Sequence, residues 1–217
     1  MRNSAAPFHQ LLRSNSAKLA YWRRQTEEGE HGANQYLNVD AVAVDQLWAP
    51  VQSWVRGQDS ALEVGCNVGT NLRWLASQGV RNLVGVDVSA AALTIAERQV
   101  VPGNATFEYV LSDAVDYLES GRRFDIVLSK GLLINVSGSR VIRGLASSAR
   151  HLVVVKEQDQ PWWVSRRRSL EHGMRKAGFT LVFKQLCMGG QRISAPWNDS
   201  TASESYLSVY VRTPSIG

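Results

Sequence analysis

From residue 41 onward, the spacing of apolar residues alternates between two periods. In residues 40–55, "DAVAVDQLWAPVQSWV", four apolar side chains share one helical face: Val44, Leu47, Trp48 and Val51. The run "SALEV" that follows has the pattern of a short buried strand. In "TNLRWLASQGV" the helical period returns, with a stripe of Leu72, Leu75, Ala76 and Gly79. We therefore predict helix, strand and helix in this order.

The same alternation continues beyond residue 81. The segments "NLVGVDV", "ATFEYVLSD", "FDIVLS" and "LVVVKE" have the composition of strands, and the last is continuously apolar, as in strands buried on both faces. Helical spacing appears between them in "AAALTIAERQV" and "SRVIRGLASSAR". Strands that alternate with helices predict a parallel sheet with helices on both faces, which binds ligands at the carboxyl ends of its strands.

The last third of the chain follows a different pattern. The segment "SRRRSLEHGMRKAGF" predicts a helix that buries Leu170, Met174 and Ala177 and ends at a left-handed Gly178. Two further strands, "TLVFKQLCM" and "SESYLSVYV", are joined by a long loop, and the second sets Leu207, Val209 and Val211 on one face. Because no helix separates these strands, we predict a C-terminal antiparallel hairpin on a seven-stranded, mostly parallel sheet.

Composition and charge narrow the class of protein. The 217 residues, 44% hydrophobic and 20% charged, indicate a soluble globular protein with a large core. We predict an N-terminal helical extension or flap over residues 1–40 and a single domain over residues 41–217. No apolar stretch reaches the roughly 18 residues of a membrane helix, and we expect a cytoplasmic location without membrane contact. The net charge of +5 favours acidic partners, although ordinary solubilising charge explains it equally well.

The two cysteines of the chain, Cys66 and Cys187, do not form a disulfide framework. They carry no metal-ligand spacing either, so we expect reduced structural thiols and no metal site.

The stretch "ALEVGCNVGTNLRWLA" contains the main candidate site. A dinucleotide fold would carry G-x-G-x-x-G at this point, so that the helix N-terminus holds a pyrophosphate. Here Gly65 and Gly69 are separated by three residues, and Glu63 precedes them. The turn also lacks the lysine and hydroxyl pairing of a Walker loop. A carboxylate repels phosphate and favours a cation, which makes an NAD-dependent enzyme the weakest interpretation.

Two further acids end the next two predicted strands. Asp87 follows Gly69 by 18 residues and is placed to accept both hydrogen bonds of a ribose diol. Asp113 follows the third strand and is placed to accept from an adenine amino group. A positively charged adenosine compound without phosphates matches S-adenosylmethionine.

The set E-x-G-x-x-x-G, strand-two acid and strand-three aspartate resembles the class I S-adenosylmethionine-dependent methyltransferases over roughly residues 44–213. The resemblance implies their Rossmann-like α/β fold, S-adenosylmethionine as cofactor, S-adenosylhomocysteine as product and no metal. It also implies that Gly65 and Gly69 admit the methionine part, Asp87 holds the ribose, and Asp113 with the Ala114 amide binds adenine. The other residues expected at the cofactor are Glu63, Asn67, Asn71, Val88, Ser129, Lys130, Trp22 and Tyr36.

A narrower likeness concerns "LEVGCNVGTNL" and "FDIVLSKGLLINVS". These segments are similar to methylases associated with pseudaminic acid biosynthesis and related surface-sugar pathways. The Cys-Asn and Lys-Gly pairs of those proteins correspond to Cys66-Asn67 and Lys130-Gly131. Their usual histidine after the fourth strand corresponds to Asn135, which argues against histidine-based catalysis at that position.

Candidate catalytic residues are few, because methyl transfer from a sulfonium depends mainly on alignment and exclusion of water. Glu157 and Asn135, near the open ends of strands, and His31, in the predicted flap, are the candidates to receive or orient an acceptor proton. Asp159 follows the same strand as Glu157. Each has a structural alternative, such as capping a helix or entering a turn.

Three functions remain open from the sequence. The first is methylation of oxygen or nitrogen on a small polar metabolite of sugar, nucleotide-linked or natural-product type, whose anionic form would suit the arginines at 166–168. The second is methylation of RNA or protein, in keeping with the basic N-terminus. The third is a module that binds S-adenosylmethionine without turnover. A homodimer is an open expectation for each.

Overall fold

The computed structural model describes residues 15–28, 32–37, 41–101, 103–133, 136, 139–158, 164–187 and 205–214. These residues form one seven-stranded sheet in the order β3-β2-β1-β4-β5-β7-β6. The strands are Ser60–Val64 (β1), Asn82–Asp87 (β2), Thr106–Leu111 (β3), Phe124–Lys130 (β4), Ala149–Gln158 (β5), Phe179–Cys187 (β6) and Ser205–Arg212 (β7).

The first five strands run parallel, and β7 runs antiparallel to both β5 and β6. The predicted α/β class, the mostly parallel sheet and the antiparallel C-terminal pair are therefore confirmed. The structure adds that β7 lies between β5 and β6, so the last strand is paired along both of its edges.

Helices connect and cover the strands. In the described residues they are Asn15–Arg23 (α1), Ala41–Trp48 (α2), Gln52–Val55 (α3), Thr70–Ser77 (α4), Ala90–Glu97 (α5), Ala114–Leu118 (α6), Ser139–Ser148 (α7) and Val164–Lys176 (α8). Single 3-10 turns occupy Ala33–Tyr36 and Ala49–Val51. Within this part of the chain, every helix is too short or too polar to cross a bilayer.

The core lies on both faces of the sheet, because successive side chains of a strand point to opposite sides. Leu62 of β1 belongs to the buried cluster that includes Leu145 of α7 and Met174 of α8. Ala61, its neighbour, belongs to the cluster on the other face with Trp48 of α2. Burial on both faces explains why the central strands are almost wholly apolar.

The predicted helix faces are largely confirmed. Val44, Trp48 and Val51 are buried, and Gly178, two residues beyond the end of α8, has the predicted left-handed conformation with φ of 79°. The prediction that Gly79 shares the apolar face of α4 was wrong, because Gly79 is exposed and lies beyond the end of this helix. Its φ of 96° reverses the chain toward β2, and only glycine adopts that conformation without strain.

Candidate functional site

The turn after β1 has an unusual backbone. Gly65, Asn67 and Gly69 have φ values of 74°, 48° and 73°. The N–H groups of Gly65 and Cys66 both donate to the Val86 carbonyl, at 2.8 and 3.1 Å, and so hold the turn against β2. Left-handed residues concentrated in one short turn are a backbone conformation that is rare outside glycine and that occurs often at ligand-binding sites.

Glycine is required at Gly69 and Gly85 for reasons of space. A Cβ added at Gly69 would lie 2.6 Å from the Tyr109 hydroxyl oxygen. A Cβ added at Gly85, in the middle of β2, would lie 2.7 Å from Cys66 Sγ and 2.8 Å from a methyl carbon of Leu72. Sequence reasoning missed Gly85, although a glycine inside a strand is a signal of close approach by a neighbouring chain.

Asp87, at the end of β2, supports the turn directly. Its Oδ2 accepts a hydrogen bond from the Asn67 amide at 2.8 Å, and its Oδ1 accepts one from the Ser89 amide at 2.9 Å. Burial raises the pKa of this carboxyl, and the hydrogen bonds that it accepts oppose the rise. Each carboxylate oxygen can accept a second hydrogen bond, so the backbone contacts leave capacity for a hydroxyl pair.

Glu63, near the end of β1, is completely buried. Its Oε1 accepts a hydrogen bond from Asn71 Nδ2 at 2.6 Å, and Asn71 Oδ1 accepts one from Trp48 Nε1 at 3.0 Å. This chain of hydrogen bonds fixes the Asn71 carboxamide with its donor toward Glu63. Sequence reasoning placed Trp48 in the core and missed this polar contact, which depends on how α2 and α4 pack.

Desolvation raises the pKa of Glu63 to about 8, while Asn71 and the positive charge of Lys130 act in the opposite direction. In the free protein the carboxyl is therefore largely protonated at neutral pH. A bound cation would favour its ionised form.

The buried polar atoms that lack a hydrogen-bond partner among the described residues include three near the carboxyl ends of β1 and β4: Glu63 Oε2, Asn67 Oδ1 and Ser129 Oγ. Ser129 lies directly opposite Val64 in the pairing of β1 and β4, so these atoms border the same end of the sheet. A buried polar atom without a partner costs about 1–3 kcal/mol. Such atoms fit a polar, cationic ligand such as the methionine part of S-adenosylmethionine, which would supply the missing hydrogen bonds.

Asp113 caps the N-terminus of α6. Its Oδ1 accepts hydrogen bonds from the Val115 and Asp116 amides at 2.7 and 3.4 Å. The neighbouring Ala114 is buried at the start of this helix. The capping bonds give Asp113 a structural role that the sequence pattern did not indicate, and adenine binding by Asp113 and Ala114 stays a prediction.

The N-terminal segment lies against the glycine turn. The 3-10 turn Ala33–Tyr36 packs on Val68 and on Ala92 and Ile95 of α5. The Tyr36 carbonyl accepts a hydrogen bond from Thr70 Oγ1 at 3.5 Å. Burial raises the pKa of the Tyr36 hydroxyl well above its usual range, and the negative charge of Asp87 adds to this rise. The charge of the carboxylate that is predicted to hold the ribose therefore influences Tyr36.

Of the remaining predicted cofactor residues, Trp22 contacts Tyr21 edge to face at 5.4 Å, and Val88 directly follows Asp87. Their contact with a cofactor stays a prediction.

The three catalytic candidates have different outcomes. Glu157 Oε1 accepts a hydrogen bond from the Leu133 amide at 3.0 Å, which anchors the segment after β4. This contact supports the structural alternative for Glu157, and its catalytic role stays a prediction. Asn135 and His31 lie outside the described residues, as does Asp159. Among the described residues, no three His, Cys, Asp or Glu side chains are grouped as a metal ion would require.

Comparison with known proteins agrees with this architecture. The sequence profile of the methyltransferase domain family matches residues 61–154, which contain the glycine turn and the three acids. The match and the fold together confirm the prediction of an S-adenosylmethionine-dependent methyltransferase. None of the curated proteins compared with the sequence is significantly similar to it.

Several solved structures share the fold at low sequence identity. Magnesium protoporphyrin IX methyltransferase (ChlM) from Synechocystis PCC 6803, with bound S-adenosylmethionine, is 21% identical over 98% of this chain and 100% of its own, with a TM-score of 0.57. A structure reported for the conversion of a disulfide bond into a thioacetal group during echinomycin biosynthesis is 16% identical, covering 92% and 93% of the two chains, with a TM-score of 0.62. The [4+2]-cyclase SpnF is 17% identical, covering 79% and 82%, with a TM-score of 0.61.

Proposed function

We propose that the protein transfers the methyl group of S-adenosylmethionine to an oxygen or nitrogen atom of a small polar metabolite. The observation that carries the proposal is the buried Glu63 carboxyl. Its Oε2 has no hydrogen-bond partner among the described residues, and it lies near the carboxyl ends of β1 and β2, where Asp87 meets the glycine turn. A dinucleotide would bring phosphates against these acids, whereas a sulfonium compound brings positive charge.

Each residue then has a defined part in holding the cofactor. Glu63 faces the cationic methionine part, and the Trp48–Asn71 hydrogen bonds keep its carboxyl in place. Asp87 accepts the ribose hydroxyls while it holds the Asn67 amide. Tyr36, whose hydroxyl responds to the charge of Asp87, would close the same end of the site.

The reaction places few demands on protein side chains. In methyl transfer the acceptor lone pair would form the new bond to the methyl carbon, while the carbon–sulfur bond would break with its electron pair going to sulfur. S-adenosylmethionine supplies the activated methyl group when it is bound. A proton released from the acceptor passes to water or to a nearby base, and His31 and Asn135 are the proposed candidates for assisting this step. Alignment and exclusion of bulk water provide most of the rate enhancement.

Two likenesses support a small metabolite as the acceptor. The pairs Cys66-Asn67 and Lys130-Gly131 resemble the surface-sugar methylases. Among the structural neighbours, ChlM is a magnesium protoporphyrin IX methyltransferase and another structure concerns echinomycin biosynthesis, so the same fold serves small acceptors there. The cyclase SpnF has this fold too, and turnover must therefore be measured directly.

The test combines binding with turnover. Calorimetric titration is expected to detect S-adenosylmethionine and S-adenosylhomocysteine but not NAD. Asp87→Ala should weaken binding by about 1.5–3 kcal/mol, the range for a lost charge-assisted hydrogen bond. Glu119→Gln is the matched control, because Glu119 pairs with Arg140 on the exposed end of α6.

Turnover is measured with tritiated-methyl S-adenosylmethionine and fractionated cell extract. We expect label in a low-molecular-weight product. Label confined to RNA or protein would refute the small-metabolite proposal, and tight binding of NAD alone would refute the methyltransferase proposal.

A further inference from the structure

Two lysines stand side by side at the carboxyl ends of neighbouring strands. Lys130, the last residue of β4, pairs in parallel register with Lys156 of β5. The Gly131 amide donates a hydrogen bond to the Lys156 carbonyl at 2.9 Å and extends this pairing past the end of β4. Both lysines are partly buried. Because they are register partners in a parallel pair, their side chains leave the sheet on the same face.

This face is the one that carries Glu63. Leu128 and Val154, two residues before the lysines, belong to the same buried cluster as Ala61, two residues before Glu63. Lys156 also lies opposite Leu207 of β7, another member of that cluster. Alternation along the strands therefore directs Glu157 to the other face, where it binds the Leu133 amide.

The two lysines are partly buried neighbours of like charge. Burial lowers the pKa of both lysines, and Lys156 lowers the pKa of Lys130 further. Glu63 acts in the opposite direction on Lys130, as Glu157 and Cys187 do on Lys156. Among the described residues, no carboxylate oxygen lies within 4.0 Å of Nζ of Lys130 or Lys156, so neither lysine forms an ion pair with them. Partly buried charges without a partner are costly, and adjacent like charges add to the cost.

We propose that Lys130 and Lys156 form a binding site for an anionic group, a carboxylate or a phosphate, on the methyl acceptor. This inference rests on the proposed function. The sheet order supports it, because β2 and β3 carry the acids predicted to hold the adenosine, whereas β4 and β5 lie on the other side of β1. An acceptor that approaches the methyl group from β4 and β5 meets both lysines. Each ammonium offers three hydrogen-bond donors to an anion.

The same lysines could be reached by one other carboxylate, that of the cofactor itself. Lys130 is nearer to the β1 turn, whereas Lys156 is one strand farther away. The experiment therefore has to separate the carboxylate of the cofactor from an anion carried by the acceptor.

Lysine-selective NMR of the full chain provides this test. The chain has only five lysines: Lys18, Lys130, Lys156, Lys176 and Lys184. Protein labelled with carbon-13 at lysine Cε is titrated with inorganic phosphate and with acetate, with and without S-adenosylhomocysteine, at constant ionic strength set by NaCl. We expect the Lys130 and Lys156 resonances to shift together and to saturate, while the exposed Lys176 does not respond.

Three outcomes would overturn the proposal. The first is no saturating shift at either lysine, and the second is an equal shift at Lys176, which indicates non-specific ion binding. In the third, S-adenosylhomocysteine shifts both lysines and prevents the response to phosphate, whereas 5′-methylthioadenosine, which lacks the carboxylate, does neither. That result would identify the cofactor as the source of the anion.

Two variants connect the site to turnover. Lys156→Met removes the charge and keeps the aliphatic chain, with Lys176→Met as the matched control; Lys156→Gln serves if the first variant does not fold. We expect Lys156→Met to retain the melting temperature and to change the S-adenosylmethionine Kd less than about twofold. At limiting acceptor, methyl transfer should fall at least about tenfold, because the variant loses one charge-assisted hydrogen bond to the acceptor.

The labelled product of the wild-type protein should also bind an anion-exchange resin. A neutral product, or unchanged transfer by Lys156→Met, would refute the proposed site while leaving the methyltransferase proposal intact. Failure of the wild-type protein to bind S-adenosylmethionine would instead refute the proposed function, and the phosphate titration would still report on the lysines.

Discussion

Replacing Glu63 with Gln tests the electrostatic basis of cofactor binding. In the free protein, burial raises the pKa of Glu63 to about 8. The ionised fraction then rises from about 1% at pH 6.0 to about a quarter at pH 7.5. If the cationic cofactor binds the carboxylate form, its affinity should rise about 25-fold over this range, because each bound cofactor releases one proton from Glu63.

The assay is calorimetric titration with S-adenosylmethionine in buffers of different ionisation enthalpy. At pH 7.0 the wild-type protein should release about 0.9 proton per cofactor, since roughly nine-tenths of Glu63 is protonated before binding. Keeping the pH at or below 7.5 leaves the α-amino group of the cofactor mainly charged.

Glu63→Gln preserves the acceptor for Asn71 Nδ2 and removes the titrating group. We expect almost no proton release from Glu63→Gln and a nearly flat affinity between pH 6.0 and 7.5. Any remaining slope belongs to Asp87, whose pKa burial also raises. Proton release by Glu63→Gln equal to that of the wild-type protein would refute the assignment of Glu63 to the cationic part of the cofactor.

Four further predictions concern the surroundings of the site. Because the pKa of Glu63 is raised in the folded protein, folding favours the protonated carboxyl, and stability falls as the pH rises. In urea titrations the unfolding free energy of the wild-type protein should therefore fall by about 2–3 kcal/mol from pH 5 to pH 7, relative to Glu63→Gln. Parallel pH profiles of the two proteins would contradict this. Gly69→Ala should lower the unfolding free energy by about 1–3 kcal/mol through backbone strain, and its contact with Tyr109 should also abolish cofactor binding. Gly79→Ala is the control, because the added Cβ at φ of 96° meets open space; it should lower stability without affecting cofactor binding. Trp48→Phe leaves Asn71 Oδ1 buried without its donor and should lower the unfolding free energy by about 1–3 kcal/mol, more than Trp74→Phe, whose partner Asp45 is exposed; equal losses would argue against the hydrogen-bond chain. Asp113→Asn should keep the helix cap within about 0.5 kcal/mol yet weaken cofactor affinity, and unchanged affinity would leave Asp113 a capping residue only.

The fold was accessible from sequence because hydrophobic periodicity reports burial directly. "SALEV" forms β1, and Leu207 and Val209 face the core as their alternation predicted. The position of β7 between β5 and β6 was not accessible in this way, because local pattern does not determine which edge of a sheet the last strand joins.

Some features of the candidate site were also predictable from sequence, and others were not. The residue types and spacing of Glu63, Gly65, Gly69 and Asp87 by themselves excluded a phosphate-binding loop and indicated a cationic adenosine ligand. Only the tertiary structure decided that Trp48 and Asn71 hold Glu63, that Gly85 makes room for the turn, and that Lys130 and Lys156 are neighbours. Short-range pattern records the period of an element and the chemistry of its residues. Hydrogen bonds and charge pairs between residues distant in sequence exist only after the strands have paired and the helices have packed.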